Sequence, residues 1–304
     1  MQIIEKYIDN HKETDQMVIA LGYFDGIHLG HQKLIKRAKK IAETKNLKSA
    51  VFTFKSHPLS ILAPERVPRL IYSNSKKIKI IQCLGIDYLI FPEFSNELML
   101  TKAEDFVKDI LVDKFNMKHA VIGFNYKFGY KESGTPQTLI DLGKKYGFEV
   151  TIIEAVKADG ITISSTNIRK QIQKGEMETA KNFLGCYYSI SGKVVKGKGL
   201  GKKLSIPTAN INIDNKIVLP KNGVYKTIVK IEDNKYKAIT NIGLNPTFEN
   251  HPYSIETYIL DFNQDIYGID IEIYFLKRIR GERKFNTLEE LVNQIQKDIE
   301  IAKK

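Results

Sequence analysis

The feature that most restricts the fold of this chain is a change of pattern at Leu184-Gly185. Ahead of it, from Met17 to about Val156, short apolar runs alternate with helical patterns. Strands are expected at 18–21, 49–54, 88–91, 120–123 and 150–153, and helices at 32–45, 75–84, 101–114 and 137–146. Such alternation predicts a parallel sheet with helices on both faces, whose ligands bind beyond the carboxyl ends of the strands. Two capped helical segments, 168–173 and 177–184, close this half. Beyond Gly185, the runs 187–195, 223–231, 236–241, 254–260 and 270–276 are short, rich in Val, Ile, Tyr and Thr, and separated by turn residues. Short strands without intervening helices predict an antiparallel barrel or sandwich, and an amphipathic helix at 288–302 ends the pattern. A chain of 304 residues has room for two ordinary cores. The expected domains are therefore 1–184 and 185–304.

Composition narrows the class further. With 42% hydrophobic and 27% charged residues the chain reads as globular, and no apolar stretch approaches the length of a membrane span. Met1–Asp9 carries an early acid and no small-residue cleavage site, so a secretory signal is not expected. Cys83 and Cys186 stand far apart, which excludes a disulfide framework, fits a reducing cytoplasm, and predicts two small core residues. The net charge of +12, from 47 basic and 35 acidic residues, raises nucleic acid, anionic membrane or small polyanions as partners. The lysines are scattered, including Lys76 to Lys79, and scattered lysine predicts a solvated surface; only Lys193 to Lys203 coincides with glycines able to shape a loop.

The residues 22–31 read Gly-Tyr-Phe-Asp-Gly-Ile-His-Leu-Gly-His, a glycine-punctuated turn between an apolar strand and a basic helix. A helix start offers unpaired N–H groups and partial positive charge to an anion. Gly26 and Gly30 would let a phosphate approach the backbone, and His28 and His31 would donate to oxygens on which charge grows as a pyrophosphate bond breaks. Two other readings of the pair are a zinc site, for which no nearby Cys or carboxylate trio completes the ligand set, and a pair of capping histidines.

This segment resembles the His-x-Gly-His signature of nucleotidylyl transferases, in the form found in the bifunctional riboflavin kinase/FMN adenylyltransferase family, and motifs in both halves share the resemblance. It implies a Rossmann-like nucleotidylyl transferase domain followed by a riboflavin kinase-like barrel. His28, His31 and Arg169 would then act in adenylyl transfer, with Gly22, Phe24, Asp25, Gly26 and Gly30 around the nucleotide. The run 52–58 is similar to the Thr-Phe-x-x-His-Pro loop beside the nucleotide, which implicates Phe54, His57 and Pro58. The run 123–129 resembles Gly-x-Asn/Asp-Phe-x-Phe-Gly, placing Asn125 on a ribose or flavin edge, with Tyr126 and Phe128 flanking an aromatic ring and Gly134-Thr135 next to the flavin. In 163–169, Ser164, Ser165, Thr166 and Arg169 would hold triphosphate and leaving pyrophosphate, while Asn167 stands where the family often has a further arginine.

In the second half, Gly192 to Lys198 almost spells a P-loop, but Gly199 replaces the needed Ser or Thr and no helix follows. The stretch 192–210 is instead similar to the riboflavin kinase signature, a glycine-rich flap leading into Pro207-Thr208-Ala209-Asn210. The resemblance makes Thr208 and Asn210 the magnesium ligands, Gly197 and Lys202 phosphate contacts, and Glu256 the acceptor of the proton of the ribityl hydroxyl. Asn241 to Phe248 matches the Gly-x-x-Pro-Thr-Phe turn, and Arg278 and Arg283 are expected near ligand. Lys202, Ser205 and Ile206 replace an arginine, a glycine and a phenylalanine, and lysine is the poorer bidentate phosphate partner. The implied substrates and products are ATP, riboflavin, FMN and FAD, with Mg2+. No nucleic-acid or membrane partner is expected, and there is room for a weak homo-oligomer. The rival readings are a chain with one of the two activities, and a basic nucleic-acid-binding protein. No strand alternates aromatic and basic residues as a stacking platform requires.

Overall fold

A computed structural model describes residues 1–6, 13–158, 160–197, 206–244 and 253–304. By packing, these form two compact units, Met1–Pro68 with Ser73–Ser164, and Arg69–Tyr72 with Ser165–Lys304. The helical residues 165–184, read as part of the first domain from sequence, cluster with the second unit, and so does the short segment 69–72.

The first unit contains β1 (Gln2–Ile4), β2 (Met17–Leu21), α1 (Leu29–Lys45), β3 (Lys48–Phe52), α2 (Leu59–Leu62), α3 (Asn74–Cys83), β4 (Tyr88–Ile90), α4 (Asn96–Leu100), α5 (Ala103–Asp105), β5 (Met117–Gly123), α6 (Pro136–Tyr146), β6 (Glu149–Ile153) and the short pair β7 (Lys157–Ala158) and β8 (Ile161–Thr162). The expected helix over 101–114 is α5 continued by a π-helical turn at Phe106–Val112. Its sheet is wholly parallel, in the order β1-β4-β3-β2-β5-β6. Strand β1 was not expected; its three residues are too few to show a period.

Every residue of β2 is buried, as a central parallel strand covered on both faces requires. Met17, Ile19 and Leu21 enter one core with Phe52, Phe106 and Leu139, while Val18 and Ala20 enter another with Leu34, Ile35 and Ala38 of α1. Asn46, left-handed at φ 59°, ends α1, and Gly147 at φ 75° ends α6. After β2 the chain moves through β3 and β4 to one side, then places β5 and β6 on the other. The reversal therefore falls between β2 and β5, where doubly wound sheets bind ligands.

The second unit contains α7 (Ser165–Lys174), α8 (Met177–Leu184), β9 (Ser189–Val195), β10 (Ala209–Asn212), β11 (Gly223–Ile231), β12 (Asn234–Leu244), β13 (Tyr253–Ile259), β14 (Asp270–Arg280) and α9 (Leu288–Lys303). The strands close into an antiparallel barrel, β10-β13-β12-β11-β14-β9, which settles the choice between barrel and sandwich. Strand β10 was read from sequence only as the Pro-Thr-Ala-Asn loop. Inside the barrel, the hydroxyls of Thr227, Thr240 and Thr257 satisfy one another at 2.9 Å. Ile299 and Ala302 of α9 pack on Val224, Ile239 and Leu260. Arg280 donates to the buried Asp298 from Nε and Nη2, the shortest contact being 2.8 Å, and Gln294 adds a further hydrogen bond.

Cys83 and Cys186 are exposed thiols, not core residues. Cys83 is the last residue of α3, while Cys186 follows the end of α8 by two residues, its Sγ 3.8 Å from the Tyr72 hydroxyl.

Removing one partner of a buried ion pair leaves the other charge uncompensated. Asp298→Ala should lower stability by about 3 kcal/mol; an unchanged midpoint in urea unfolding would contradict the role given to this pair.

Candidate active sites

The chain leaves β2 through Gly22 and turns sharply. Phe24 (φ 50°), Gly26 (φ 79°) and Ile27 (φ 39°) all take left-handed conformations, and Phe24 and Ile27 are each 1% exposed. Left-handed backbone costs a side-chain-bearing residue about 1–2 kcal/mol, so packing must hold it there. The ring of Phe24 lies over Gly22, where a Cβ would come within 2.9 Å of Cζ.

The turn delivers His28 to the N-cap of α1. Its Nδ1 accepts the His31 backbone N–H at 3.3 Å, which leaves the proton of the neutral ring on Nε2. The two imidazoles stack with centroids 3.6 Å apart at 20°, and the Phe24 ring props His31 edge-on at 5.1 Å. A Cβ at Gly30 would press within 3.1 Å of the His28 ring, so glycine there gives that ring its place. Burial lowers the pKa of His28 to about 4. His31 is held well below the ordinary imidazole value by burial first, then by the charges of His28 and Lys77. Both rings are neutral at pH 7, and His31 Nδ1 is enclosed without a hydrogen-bond partner among the described residues. The pair is both cap and candidate donor. No cluster of three or more His, Cys, Asp or Glu able to hold a metal occurs among the described residues.

Thr53, just past β3, donates through Oγ1 to the Tyr23 carbonyl at 2.6 Å. Phe54 packs edge-on against Phe52 and Phe94. His57 Nδ1 accepts the Leu59 N–H at 3.0 Å and its ring meets Tyr23 at 4.6 Å, while Pro58 precedes α2. Past β5, Asn125 is exposed, Tyr126 and Phe128 stack on each other at 5.5 Å, and Phe128 covers Gly134. Phe128 thus serves the core, and Thr135 caps α6. Topology gathers the 22–31 turn, the 53–58 loop and Asn125 beyond the carboxyl ends of β2, β3 and β5.

Ser164 ends the first unit, while Ser165 and Thr166 open α7 in the second. Arg169 Nε donates to the Arg69 carbonyl at 2.7 Å.

In the barrel, Glu256 of β13 pairs in register with Asn210 of β10 and Asn241 of β12. Its neighbours Ile255 and Thr257 are buried, so the alternation turns Glu256 to the outer face, where Ser254 Oγ donates to it at 3.3 Å. Gly197 leaves the space that the Asn210 amide fills, since a Cβ there would overlap it. Thr208 directly precedes β10. A hydroxyl and an amide oxygen are hard neutral donors, which fit magnesium that retains water and phosphate oxygens. Arg278 is held by the Asn222 carbonyl at 2.6 Å and packs against Gly175 and Gly223, and Arg283 lies over Phe285. Lys202, Ser205 and the 245–248 turn lie outside the described residues.

Lys77 is the residue that sequence reading missed. Expected in solvent, it is 1% exposed, and the available signal was its helical phase, one turn ahead of buried Ile81.

Neutral imidazoles on a helix start at the reversal of a doubly wound sheet, joined in one chain to a barrel that sets a glutamate between two asparagines, fit a two-part nucleotide-using transferase. The FAD synthetase family model matches residues 10–167 and the riboflavin kinase model 184–304. A bifunctional riboflavin kinase/FMN adenylyltransferase of Bacillus subtilis is 40% identical over 94% of this chain and 92% of its own length. One from Buchnera aphidicola (Acyrthosiphon pisum) is 38% identical over 100% and 98%. A crystal structure described as a macrolide-efflux protein from Streptococcus pneumoniae superposes with a TM-score of 0.92 at 33% identity, covering 100% of this chain and 99% of that one. No helix among the described residues is long and apolar enough to cross a membrane. The chain belongs to the bifunctional riboflavin kinase/FMN adenylyltransferase family.

The lowered pKa of His28 makes stability depend on pH. Between its unfolded value near 6.5 and about 4, the unfolded state binds more protons, so stability falls as pH falls through that window. The loss should reach about 3 kcal/mol from this ring below pH 4. His28→Asn, which keeps an N-capping side chain, should flatten that part of the urea-midpoint profile.

Proposed function

We propose that the chain converts riboflavin to FMN in the barrel module, 185–304, and FMN to FAD in the module 1–184, using ATP for both steps. The observation that carries the adenylyl half is the pair of stacked, neutral imidazoles at the N-terminus of α1. A phosphate oxygen of FMN attacks the α-phosphorus of ATP in line, the bond to the β-phosphate breaks, and pyrophosphate leaves. The His28 Nε2–H donates to oxygens on which charge develops, aided by the backbone N–H groups and positive end of α1. Asn125 supplies both a donor and an acceptor for a ribose or flavin edge. We assign Arg169 and the hydroxyls of Ser164, Ser165 and Thr166 to phosphate binding.

For the barrel, the reading rests on Glu256 beside Asn210 on adjoining strands. Glu256 accepts the proton of the terminal ribityl hydroxyl as that oxygen attacks the γ-phosphorus and ADP leaves. Thr208 and Asn210 would hold magnesium, which supplies charge neutralisation at the phosphates. The exposed thiols of Cys83 and Cys186 suit the reducing cytoplasm in which we place the enzyme.

Purified protein incubated with riboflavin, ATP and magnesium should yield FMN and FAD on chromatographic separation; formation of neither refutes the proposal. His28→Asn should slow FAD formation from supplied FMN by roughly 100-fold or more while leaving FMN formation intact. Glu256→Gln should do the reverse, slowing FMN formation by roughly 100-fold or more.

A further inference from the structure

We propose that Lys77 is a positioning residue of the adenylyl-transfer site: its buried ammonium ties the turn after β2 to the loop after β3 and so sets the imidazoles of His28 and His31. This rests on the adenylyl-transfer reading above.

Lysine is almost never fully buried without partners, and Lys77 is 1% exposed. Its Nζ lies 3.3 Å from the Phe54 carbonyl and 3.5 Å from the Tyr23 carbonyl, the latter also held by Thr53 Oγ1. It stands over the rings of Tyr23 at 4.7 Å and Phe91 at 5.4 Å. The charged group facing it is Asp25, itself 1% exposed, and His31 of α1 feels its charge. Tyr23 and Asp25 flank Phe24, whose left-handed backbone aims its ring at His31. The chain of contact therefore runs from Lys77 through Tyr23 and Phe24 to His31, and by stacking to His28.

A residue that served only to fill this space would be apolar, because packed hydrocarbon avoids the desolvation cost of a charge. An ammonium adds two things hydrocarbon cannot. It grips two carbonyls from different loops at once, and its charge opposes protonation of His31 in the first turn of α1. Burial lowers the Lys77 pKa to about 8, against the pull of Asp25. The ammonium is charged at neutral pH, and its grip weakens as pH rises past that value.

The test uses the full chain with FMN, ATP and magnesium. Lys77→Met should lower kcat for FAD formation about 10- to 100-fold with a smaller change in the KM for FMN, and the rate of riboflavin phosphorylation by the same protein should be unchanged. The wild-type kcat should fall on an alkaline limb near pH 8. Lys77→Arg, whose guanidinium stays charged, should keep measurable activity and lose that limb. Undiminished kcat in Lys77→Met, or the same limb in Lys77→Arg, overturns the proposal. Should Lys77→Met fail to fold, the Lys77→Arg profile decides alone. Absence of FAD from the wild-type chain overturns the adenylyl reading itself, and the positioning role with it.

Discussion

The hydrogen bond from the His31 amide to His28 Nδ1 sits where the central strand of a parallel sheet hands over to its first helix. That single contact does three things. It satisfies an orphan N–H of the helix start, orients the imidazole, and leaves the remaining ring proton on the nitrogen turned away from the helix. It exists only because the preceding turn holds Phe24 and Ile27 in backbone conformations they would not choose alone. The packing of Phe24 over Gly22, and of the two cores against β2, supplies the constraint. Strain in the turn and rigidity of the strand beneath it are two sides of one arrangement.

The two units fix the positions of their polar groups by different means. In the first, position comes from the open end of a sheet, where loops leaving β2, β3 and β5 converge because the chain reverses there. In the second, position comes from register: closure of the barrel leaves no free edge, so Asn210, Glu256 and Asn241 are locked in one row across three strands. Small residues appear at both places for the same reason. Gly30 makes room for the His28 ring and Gly197 for the Asn210 amide.

Much of this was legible in the residues. The apolar runs marked β2, β3, β5 and β6, and the helix over 137–146 differs from α6 by one residue at its start. The 22–31 turn announced a helix start with two imidazoles, although the helix begins at Leu29 rather than at Gln32. The two unexpected strands share a cause. Strands β1 and β10 are too short to show a period, and each is stabilised by partners distant in sequence, β4 for one and β13 with β9 for the other. Phe128, matched by resemblance to an aromatic beside the ligand, packs over Gly134 in the core. Residues 165–184 follow the first half in pattern but cluster with the second unit, because their apolar faces find their partners there.

What the chain alone determined was local chemistry and period: which segments alternate by two or by 3.6, where glycine permits a turn, and which residue types can handle phosphate. Those properties depend on neighbours within a few positions. Tertiary structure decided burial, and with it charge. One lysine among many scattered along the chain became an enclosed cation, and two ordinary histidines became neutral, since proton affinity answers to the medium and the surrounding charges that folding brings close. Closure of six strands into a barrel was likewise settled only by pairings across long separations, which no local pattern encodes.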